Sequence, residues 1–420
     1  MRLITEKVNI GSGSLVIGGG SPIVVQTMCN THTDDVEGTL AQCRRMVAAG
    51  AEMIRITVPG LQDVPHIREI RERLRAEGIM VPIVADIHFS AQTAIEVARF
   101  VDKVRINPGN FHKDHQMARA KFLQLLEVCK AHGTAIRIGI NHGSLGEYIT
   151  NLYGNTPQAM AEAAMEWVRM CVQADFRKVV ISLKSSNTAS MVQGYRALVQ
   201  MMKAEGVVFP LHVGVTEAGG GDSGRIKSCV GIATLLEEGI GDTVRVSLTE
   251  DPVNELPVAR YLAARYSSAP MPLLPERELK MLDAACTWGP KLLRHEVDSI
   301  EEEMDSYLRD EIMQAARRRF YKPEYIACPG CGRTMYDLQK AYREVMEKTA
   351  CFKDIVIAIM GCIVNGPGEM ADADWGYVGE GGGKVSIYKK NVPVLRHVPE
   401  DEAPDRLVAL IREDLKAQGK

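Results

Sequence analysis

The 420-residue sequence lacks any apolar run close to the roughly 18 residues that a membrane-spanning helix requires. Its first ten residues, MRLITEKVNI, also lack the apolar core of a secretion signal. Both absences favour a soluble protein, which we expect in the cytoplasm. With 46% hydrophobic and 25% charged residues, the chain can form two domains or one large barrel with an addition.

Strong net charge is also absent, and cysteine is sparse. A net charge of −3 argues against an extended nucleic-acid surface, although local positive clusters could hold a small anion. Ten cysteines in 420 residues are too few for a disulfide scaffold. In a reducing compartment a close Cys-x-x-Cys pair more often binds a metal or does redox chemistry, so the cysteines indicate a cofactor.

Short runs rich in Val and Ile alternate with stretches of helical periodicity between residues 23 and 249. Eight such runs predict a closed (β/α)8 TIM barrel, with a doubly wound open sheet as the alternative. The segment VNIGSGSLVIGGG, before the first run, predicts a hairpin that plugs the barrel bottom. The runs are PIVVQT (22–27), EMIRIT (52–57), VPIVAD (81–86), KVRIN (103–107), AIRIGIN (135–141), KVVISLK (178–184), PLHVGV (210–215) and TVRVSL (243–248).

The pattern changes after residue 265, where the prolines of SSAPMPLLPERELK interrupt regular structure. We therefore assign residues 1–268 to the barrel, 269–322 to a linker or helical insert, and 323–420 to a small α+β domain. Residues 276–320 read as a charged helical stretch whose arginines 317–319 form a solvated helix end. The small domain predicts a helix near 335–348, strands in DIVIAIM and KVSIYK, and a closing helix near 402–416.

Three cysteines of the small domain are grouped as a close pair and a distant single residue. Cys328 and Cys331 lie in ACPGCGRT, where Pro and Gly favour a turning backbone. Cys362 follows an apolar strand in IMGCIVNGPGE, whose glycines let the backbone wrap around a bulky inorganic group. This grouping suits an iron–sulfur cluster, because structural zinc usually shows a second close pair or a histidine. A zinc knuckle that only stabilises the domain is the alternative.

A fourth ligand would come from Cys351, from Glu369 or from outside the protein. Cys351 lies between a predicted helix and a strand, where we expect a buried free cysteine. Glu369 lies seven residues after Cys362, at the end of the same loop, and is the favoured ligand. Because an oxygen ligand holds iron less firmly than a thiolate, a substrate oxygen could displace it.

Polar residues recur with period two near the ends of six predicted strands, where the active site of a barrel lies. Buried cations are costly to desolvate, and arginine matches phosphate oxygens through paired hydrogen bonds, so these residues indicate a diphosphate or bisphosphate. The alternative is a structural salt bridge for each arginine. Glu217, with His88 or Asp86, is the candidate acid or base. The pairs are Arg55 and Thr57, Asp86 and His88, Arg105 and Asn107, Arg137 and Asn141, Ser182 and Lys184, and Arg245 and Ser247.

Several segments together closely resemble the bacterial 4-hydroxy-3-methylbut-2-enyl diphosphate synthases of the non-mevalonate isoprenoid pathway. They are MIRITVPG, ADIHF, KVRINPGN, RIGINHGSL, LHVGVTEAGG, SGRIKS, GDTVRVSLTEDP, CPGCGRT and GCIVNGPGE. The resemblance implies an oxidoreductase whose TIM barrel binds 2-C-methyl-D-erythritol 2,4-cyclodiphosphate. It also implies a small domain, similar to those of sulfite reductases, with a 4Fe-4S cluster on Cys328, Cys331, Cys362 and Glu369.

The resemblance further implies roles for the strand-end residues and for partners. It assigns proton transfer to Glu217, with Asp86 and His88 as further candidates, and reduction to flavodoxin or ferredoxin. It implies a homodimer in which the cluster domain of one subunit caps the barrel of the other. A non-redox phosphate-binding barrel with a structural zinc domain is the rival, and an electron carrier alone leaves the cationic mouth unexplained. The implied substrate-binding residues are Arg55, Arg105, Asn107, Arg137, Asn141, Lys184, Arg245 and Ser247.

Overall fold

A short antiparallel hairpin closes the bottom of a barrel, as predicted. The computed structural model describes residues 2–11, 13, 15–363, 366–370 and 372–417, without the side chains of Pro367 and Glu369. Strand β1 (Val8–Ile10) pairs with β2 (Leu15–Ile17). Apolar side chains of the hairpin pack against the lower residues of the barrel strands, among them Val24 and Val180. The barrel is therefore plugged at this end by hydrophobic contacts.

Eight parallel strands form the barrel, and each lies within one of the eight predicted runs or overlaps it. They are β3 (Val24–Met28), β4 (Met53–Thr57), β5 (Ile83–Asp86), β6 (Lys103–Ile106), β7 (Ala135–Asn141), β8 (Val179–Lys184), β9 (His212–Val213) and β10 (Thr243–Val244). The order is β8-β7-β6-β5-β4-β3-β10-β9, and a bridge between Ile181 and Leu211 joins the two end strands. The TIM-barrel prediction is confirmed and the open sheet is wrong, although β9 and β10 are shorter than their runs.

Helices follow the strands and cover the outside of the barrel. They are α1 (Val36–Ala48), α2 (Val64–Ala76), α3 (Ala91–Val97), α4 (His115–His132), α5 (Glu147–Tyr153), α6 (Pro157–Gln173), α7 (Thr188–Ala204), α8 (Gly221–Glu237) and α9 (Glu255–Tyr266). Side chains of Asp35, Ser90, Asp114, Thr156 and Asn187 accept first-turn N–H groups and so fix where five of these helices begin.

The insert contributes α10 (Glu276–Leu293) and α11 (Ser306–Ala315), so the predicted helical stretch is interrupted at residues 294–305. Helix α10 packs closely on α8, because a Cβ at Gly289 would lie 2.8 Å from the Val230 Cα. The predicted solvated helix end is wrong for two arginines that lie beyond α11. Arg317 pairs with Glu324 at 2.9 Å, and Arg318 pairs with Asp298.

A five-stranded sheet carries the small domain. Its elements are β11 (Glu324–Ala327), α12 (Leu338–Thr349), β12 (Val356–Met360), α13 (Gly366–Glu369), β13 (Trp375–Gly381), β14 (Lys384–Lys389), β15 (Val392–Pro399) and α14 (Ala403–Ala417). Strands β11, β12 and β13 are parallel, whereas β14 and β15 are antiparallel. Since β11 and β12 are adjacent and parallel, Cys328 and Cys362, which follow them, lie at the same edge of the sheet.

No helix in the described part of the chain is long and apolar enough to span a membrane.

Candidate functional site

A cavity lies between the barrel mouth and the cysteine loops of the small domain. Both walls come from one chain, so the structure brings the two groups of predicted residues together. The predicted residues that line it are Arg55, Asp86, His88, Arg105, Asn141, Lys184, Glu217, Arg245 and Ser247 from the barrel, and Cys328, Cys331 and Cys362 from the small domain.

The first cysteine strand is bonded directly to the barrel. A parallel bridge joins Ala218 to Ala327, and the Ala327 N–H donates to the Glu217 carbonyl at 3.3 Å. The Thr249 hydroxyl donates to the carbonyls of Ala327 and Cys328, at 3.3 and 3.0 Å. These contacts fix the Cys328 loop over the mouth beside Glu217.

Asp86 is the carboxylate at the centre of the mouth. Its oxygens lie 3.9 Å from Arg55, 3.3 Å from Arg105 and 3.5 Å from Arg333. Burial alone would raise the pKa of Asp86, but Arg55 and Arg105 hold it well below its usual range. Asp86 is therefore ionised near neutral pH and orients the arginines around it.

His88 is buried beside Asp86 and is neutral near pH 7. Burial, followed by the charge of Arg105, lowers the pKa of His88 to about 3. The Arg105 guanidinium donates to Nε2, and the Asn110 side-chain nitrogen lies 3.0 Å from Nδ1. A neutral imidazole of this kind can orient Arg105 but is a poor proton donor.

The cations of the mouth divide into paired and unpaired groups. Arg245 lies 3.0 Å from Glu255, so the structural salt-bridge alternative holds for this residue. In the described part of the chain, Lys184 and Arg137 form no direct ion pair, although the charges of Glu217 and Asp86 act on them from a greater distance. Burial and neighbouring arginines lower the pKa values of both, which means that their charges are under-compensated.

Two predicted binding residues do not line the cavity. Asn107 donates to the Ser144 hydroxyl at 2.8 Å and accepts the Gly109 N–H at 3.1 Å, so it shapes the β6–α4 loop instead of facing the cavity. Arg137 lies deeper in the barrel with 1% of its surface exposed, and its Nε and Nη1 atoms are buried with no hydrogen-bond partner in the described part of the chain.

The predicted fourth ligand falls where the structure gives no side chain. Glu369 ends α13, but its side chain lies outside the described residues. Cys351 is exposed, so its predicted burial is wrong, and it does not line the cavity. A role for Glu369 at the cavity stays a prediction.

Two residues that sequence reasoning missed belong to the site. Met28 accepts N–H groups of Arg55 on its sulfur, at 2.7 and 3.0 Å, but its type and position in a strand resemble a core residue. Arg333 reaches from the small domain and donates to the Asp86 carbonyl at 3.2 Å. Its place directly after Cys-Gly in ACPGCGRT was the available signal, because it puts the arginine in the same loop as the cysteine pair.

The cysteine loops present three thiols to one cavity, a donor set that suits an iron–sulfur cluster or zinc. Within the described ranges, no group of three or more His, Cys, Asp or Glu side chains is arranged to hold one metal ion. The three cysteines nevertheless face the same cavity. Backbone N–H groups of Gly361 and Arg333 lie 3.2 and 3.4 Å from the sulfurs of Cys328 and Cys331, the type of contact that stabilises cluster thiolates.

The backbone is strained at two site positions. Glu217 has a φ of 48° and Phe89, next to His88, has a φ of 57°. Non-glycine residues in this left-handed region cost free energy and concentrate at functional sites. The strain supports Glu217 as a residue held in place for chemistry.

Both parts of the chain match models of one protein family. Residues 5–260 match the GcpE TIM-barrel domain, and residues 324–413 match the GcpE protein C-terminal domain. A relative from Synechococcus sp. (strain CC9311), named 4-hydroxy-3-methylbut-2-en-1-yl diphosphate synthase (ferredoxin), is 41% identical over 98% of this chain and 95% of its own length. Another, from Parabacteroides distasonis, carries the same name with flavodoxin and is 35% identical over 96% of this chain and 97% of its own length.

Proposed function

Because this chain belongs to the GcpE family, we propose that it catalyses the reductive conversion of 2-C-methyl-D-erythritol 2,4-cyclodiphosphate to 4-hydroxy-3-methylbut-2-enyl diphosphate. The ring C–O bond to phosphate breaks, a neighbouring hydroxyl leaves as water with one proton, and two electrons form the C=C bond. The observation that carries the proposal is the shared cavity, in which a cationic mouth faces three thiols. Residues 1–268 would bind the substrate and residues 323–420 would deliver electrons, joined by the 269–322 insert.

The diphosphate would bind to the cations that line the cavity. Nearby carboxylates neutralise only part of the positive charge of Arg55, Arg105 and Lys184, and phosphate oxygens would neutralise the rest. Arg245 would contribute a guanidinium already oriented by Glu255. Asn141, Ser247 and the deeper Arg137 would add hydrogen bonds and charge, and Asn107 would fix the loop beside them.

Cys328, Cys331, Cys362 and Glu369 would hold a 4Fe-4S cluster. When bound, the cluster supplies electrons one at a time, taken from reduced flavodoxin or ferredoxin. The buried loops and the covered mouth would exclude water from the substrate during reduction. We place the enzyme in the cytoplasm, where those carriers are found.

Glu217 is the proposed proton donor to the departing hydroxyl. It lines the cavity next to the Cys328 strand, and its strained backbone fixes its direction. Asp86 is held ionised by arginines and His88 is neutral, so these two would position Arg105 and Arg55 rather than donate. Among the described residues that line the cavity, Glu217 is then the proposed acid.

Anaerobic purification tests the proposal against a non-redox barrel with structural zinc. The proposed enzyme would be brown, with about four irons per chain, and would convert the cyclodiphosphate with a reduced ferredoxin or flavodoxin. A colourless protein with stoichiometric zinc and no turnover would exclude it.

We also propose a homodimer in which each cluster domain serves the barrel of the other subunit. Mixing Glu217→Gln protein with Cys328→Ser protein tests this arrangement, since each variant alone lacks one half of the site. Exchange of subunits would restore activity if the halves meet between subunits. Mixtures as inactive as either variant would show that each chain completes its own site, as the contacts of Ala327 with Glu217 allow.

A further inference from the structure

A polar layer crosses the barrel interior between the apolar plug and the cationic mouth. Interiors of such barrels are usually filled by bulky apolar side chains. Here Lys103 and His212 are 0% exposed and Gln26 is 1% exposed. The Lys103 ammonium nitrogen lies 3.4 Å from the Gln26 carbonyl oxygen, and His212 Nδ1 lies 3.1 Å from the Thr243 hydroxyl. Lys103 on β6 therefore reaches towards β3 through the interior, beneath the mouth.

Among the described residues, the charged groups that act on Lys103 are basic. Arg137 from β7 and Arg55 from β4 act on it, and it acts in turn on His212 from β9. Within the described ranges no carboxylate contacts Lys103, whose one hydrogen-bond partner is the Gln26 amide. Nearby donors are also unsatisfied, because Gln26 Nε2 and two nitrogens of Arg137 are buried without a hydrogen-bond partner among the residues that the structure describes.

This environment disfavours a positive charge on Lys103 in addition to the charges of the nearby arginines. Burial first, and then the charges of Arg137 and Arg55, lower the pKa of Lys103 well below its usual value. A phosphate group bound beside Arg55, in the mouth above Arg137, would offset part of both guanidinium charges and weaken that repulsion. The protonation of Lys103 should therefore depend on whether an anion occupies the mouth.

We propose that Lys103 takes up a proton from solvent when the barrel binds its cyclic diphosphate, so that substrate binding raises the protonation of this buried side chain beneath the mouth. The inference rests on the proposed function for the identity of the anion. One N–H bond forms on Lys103, the buffer acid loses that proton, and no electrons move. Binding affinity is then linked to pH through a residue that need not touch the substrate.

Calorimetric titration of the full-length protein with the cyclodiphosphate near neutral pH tests this linkage. Repeating it in buffers of different ionisation enthalpy gives the number of protons taken up. Lys184 and His88 at the mouth also face the anion and contribute to the total proton uptake. The share of Lys103 is therefore the uptake of the native protein minus that of a Lys103 variant. The comparison is between the native protein, Lys103→Met, and the control Lys178→Met, whose lysine donates to the Gly133 carbonyl at the outer start of β8.

We expect Lys103→Met to bind the ligand with an uptake lower by about half a proton or more, and Lys178→Met to match the native protein. Equal uptake in the native protein and Lys103→Met would overturn the inference. If Lys103→Met fails to fold, Lys103→Gln, which keeps a polar group beside Gln26, is measured instead under the same criterion.

Pyrophosphate as a second ligand separates this inference from the proposed function. In one outcome, pyrophosphate binding is accompanied by proton uptake that Lys103→Met loses, while the cyclodiphosphate does not bind. That result would sustain the role of Lys103 and contradict the proposed substrate. Failure of both ligands to bind would overturn both.

Discussion

The two ends of the barrel are closed by different kinds of contact. At the bottom, the β1–β2 hairpin buries Val8, Ile10 and Ile17 completely among apolar strand residues. At the top, the small domain is held by one strand bridge, by hydroxyl hydrogen bonds from Thr249, and by buried ion pairs such as Lys227 with Glu324 at 3.1 Å. Hydrophobic closure is non-directional and additive, whereas polar closure contributes little net free energy and depends on geometry. The bottom is therefore a permanent part of the core, and the top is the end at which chemistry and movement can occur.

Glu217→Gln at the top should have the largest effect. Removing the proposed proton donor should lower kcat by about 10²- to 10⁴-fold, because general acid catalysis typically contributes that much. Folding and iron content should be unchanged, as measured by thermal unfolding and iron analysis. The control is Glu205→Gln, whose exposed carboxylate pairs with Arg169 far from the mouth. Full turnover in Glu217→Gln would remove Glu217 from the chemistry.

Ile17→Ala at the bottom should act on stability alone. Truncating a fully buried isoleucine should lower the free energy of unfolding by about 2 to 5 kcal/mol, while kcat per folded molecule stays unchanged. Ile4→Ala is the matched control, because Ile4 is 69% exposed and its truncation should change stability by less than about 0.5 kcal/mol. Denaturant unfolding measures both. A fall in kcat with Ile17→Ala would contradict the separation of the two ends.

Lys103→Met should change how stability depends on pH. The unfolded chain binds a proton that folded Lys103 resists, because the folded pKa is lowered, so the native protein gains stability as pH rises towards about 10.4, the usual lysine pKa. The variant lacks this gain, and its advantage over the native protein should be largest at low pH and shrink as pH rises. Unfolding at several pH values measures the difference in slope, which Lys178→Met should not show.

Thr249→Val should have the smallest effect. It removes the hydroxyl that bonds the Ala327 and Cys328 carbonyls, so opening of the small domain should become easier by about 1 kcal/mol. Amide hydrogen exchange in residues 324–331 should accelerate about fivefold. Thr234→Val is the control, since its hydroxyl bonds the Val230 carbonyl within α8. Equal exchange in both variants would mean that the top is closed as firmly as the bottom.

The sequence predicted the barrel well because its strands are buried on both faces and read as continuous Val- and Ile-rich runs. Strand β13 was missed because Gly376, Gly379 and Gly381 weaken the strand signal, and β15 was missed because Pro393 and exposed positions interrupt it.

Prediction of the site residues was also limited to what a local sequence pattern can show. Period-two polarity found the mouth residues, since alternate strand positions share a face. It could not show that Arg333 from another domain would bond to Asp86, that Asn107 would shape a loop, or that Glu255 would neutralise Arg245. Those relations depend on how distant segments pack. Met28 and Lys103 were missed because residue type alone does not reveal their interior partners.

The position of the first residues beneath the plug has a practical consequence for electrochemistry. The backbone of Leu3 bonds to Gly239 and that of Glu6 bonds to Val208, which anchors this segment at the bottom of the barrel. A protein attached to an electrode through this segment would present the cysteine loops to the solution. Soluble electron carriers would then approach the protein from the side opposite the electrode. The current would report how readily each route reaches the proposed cluster.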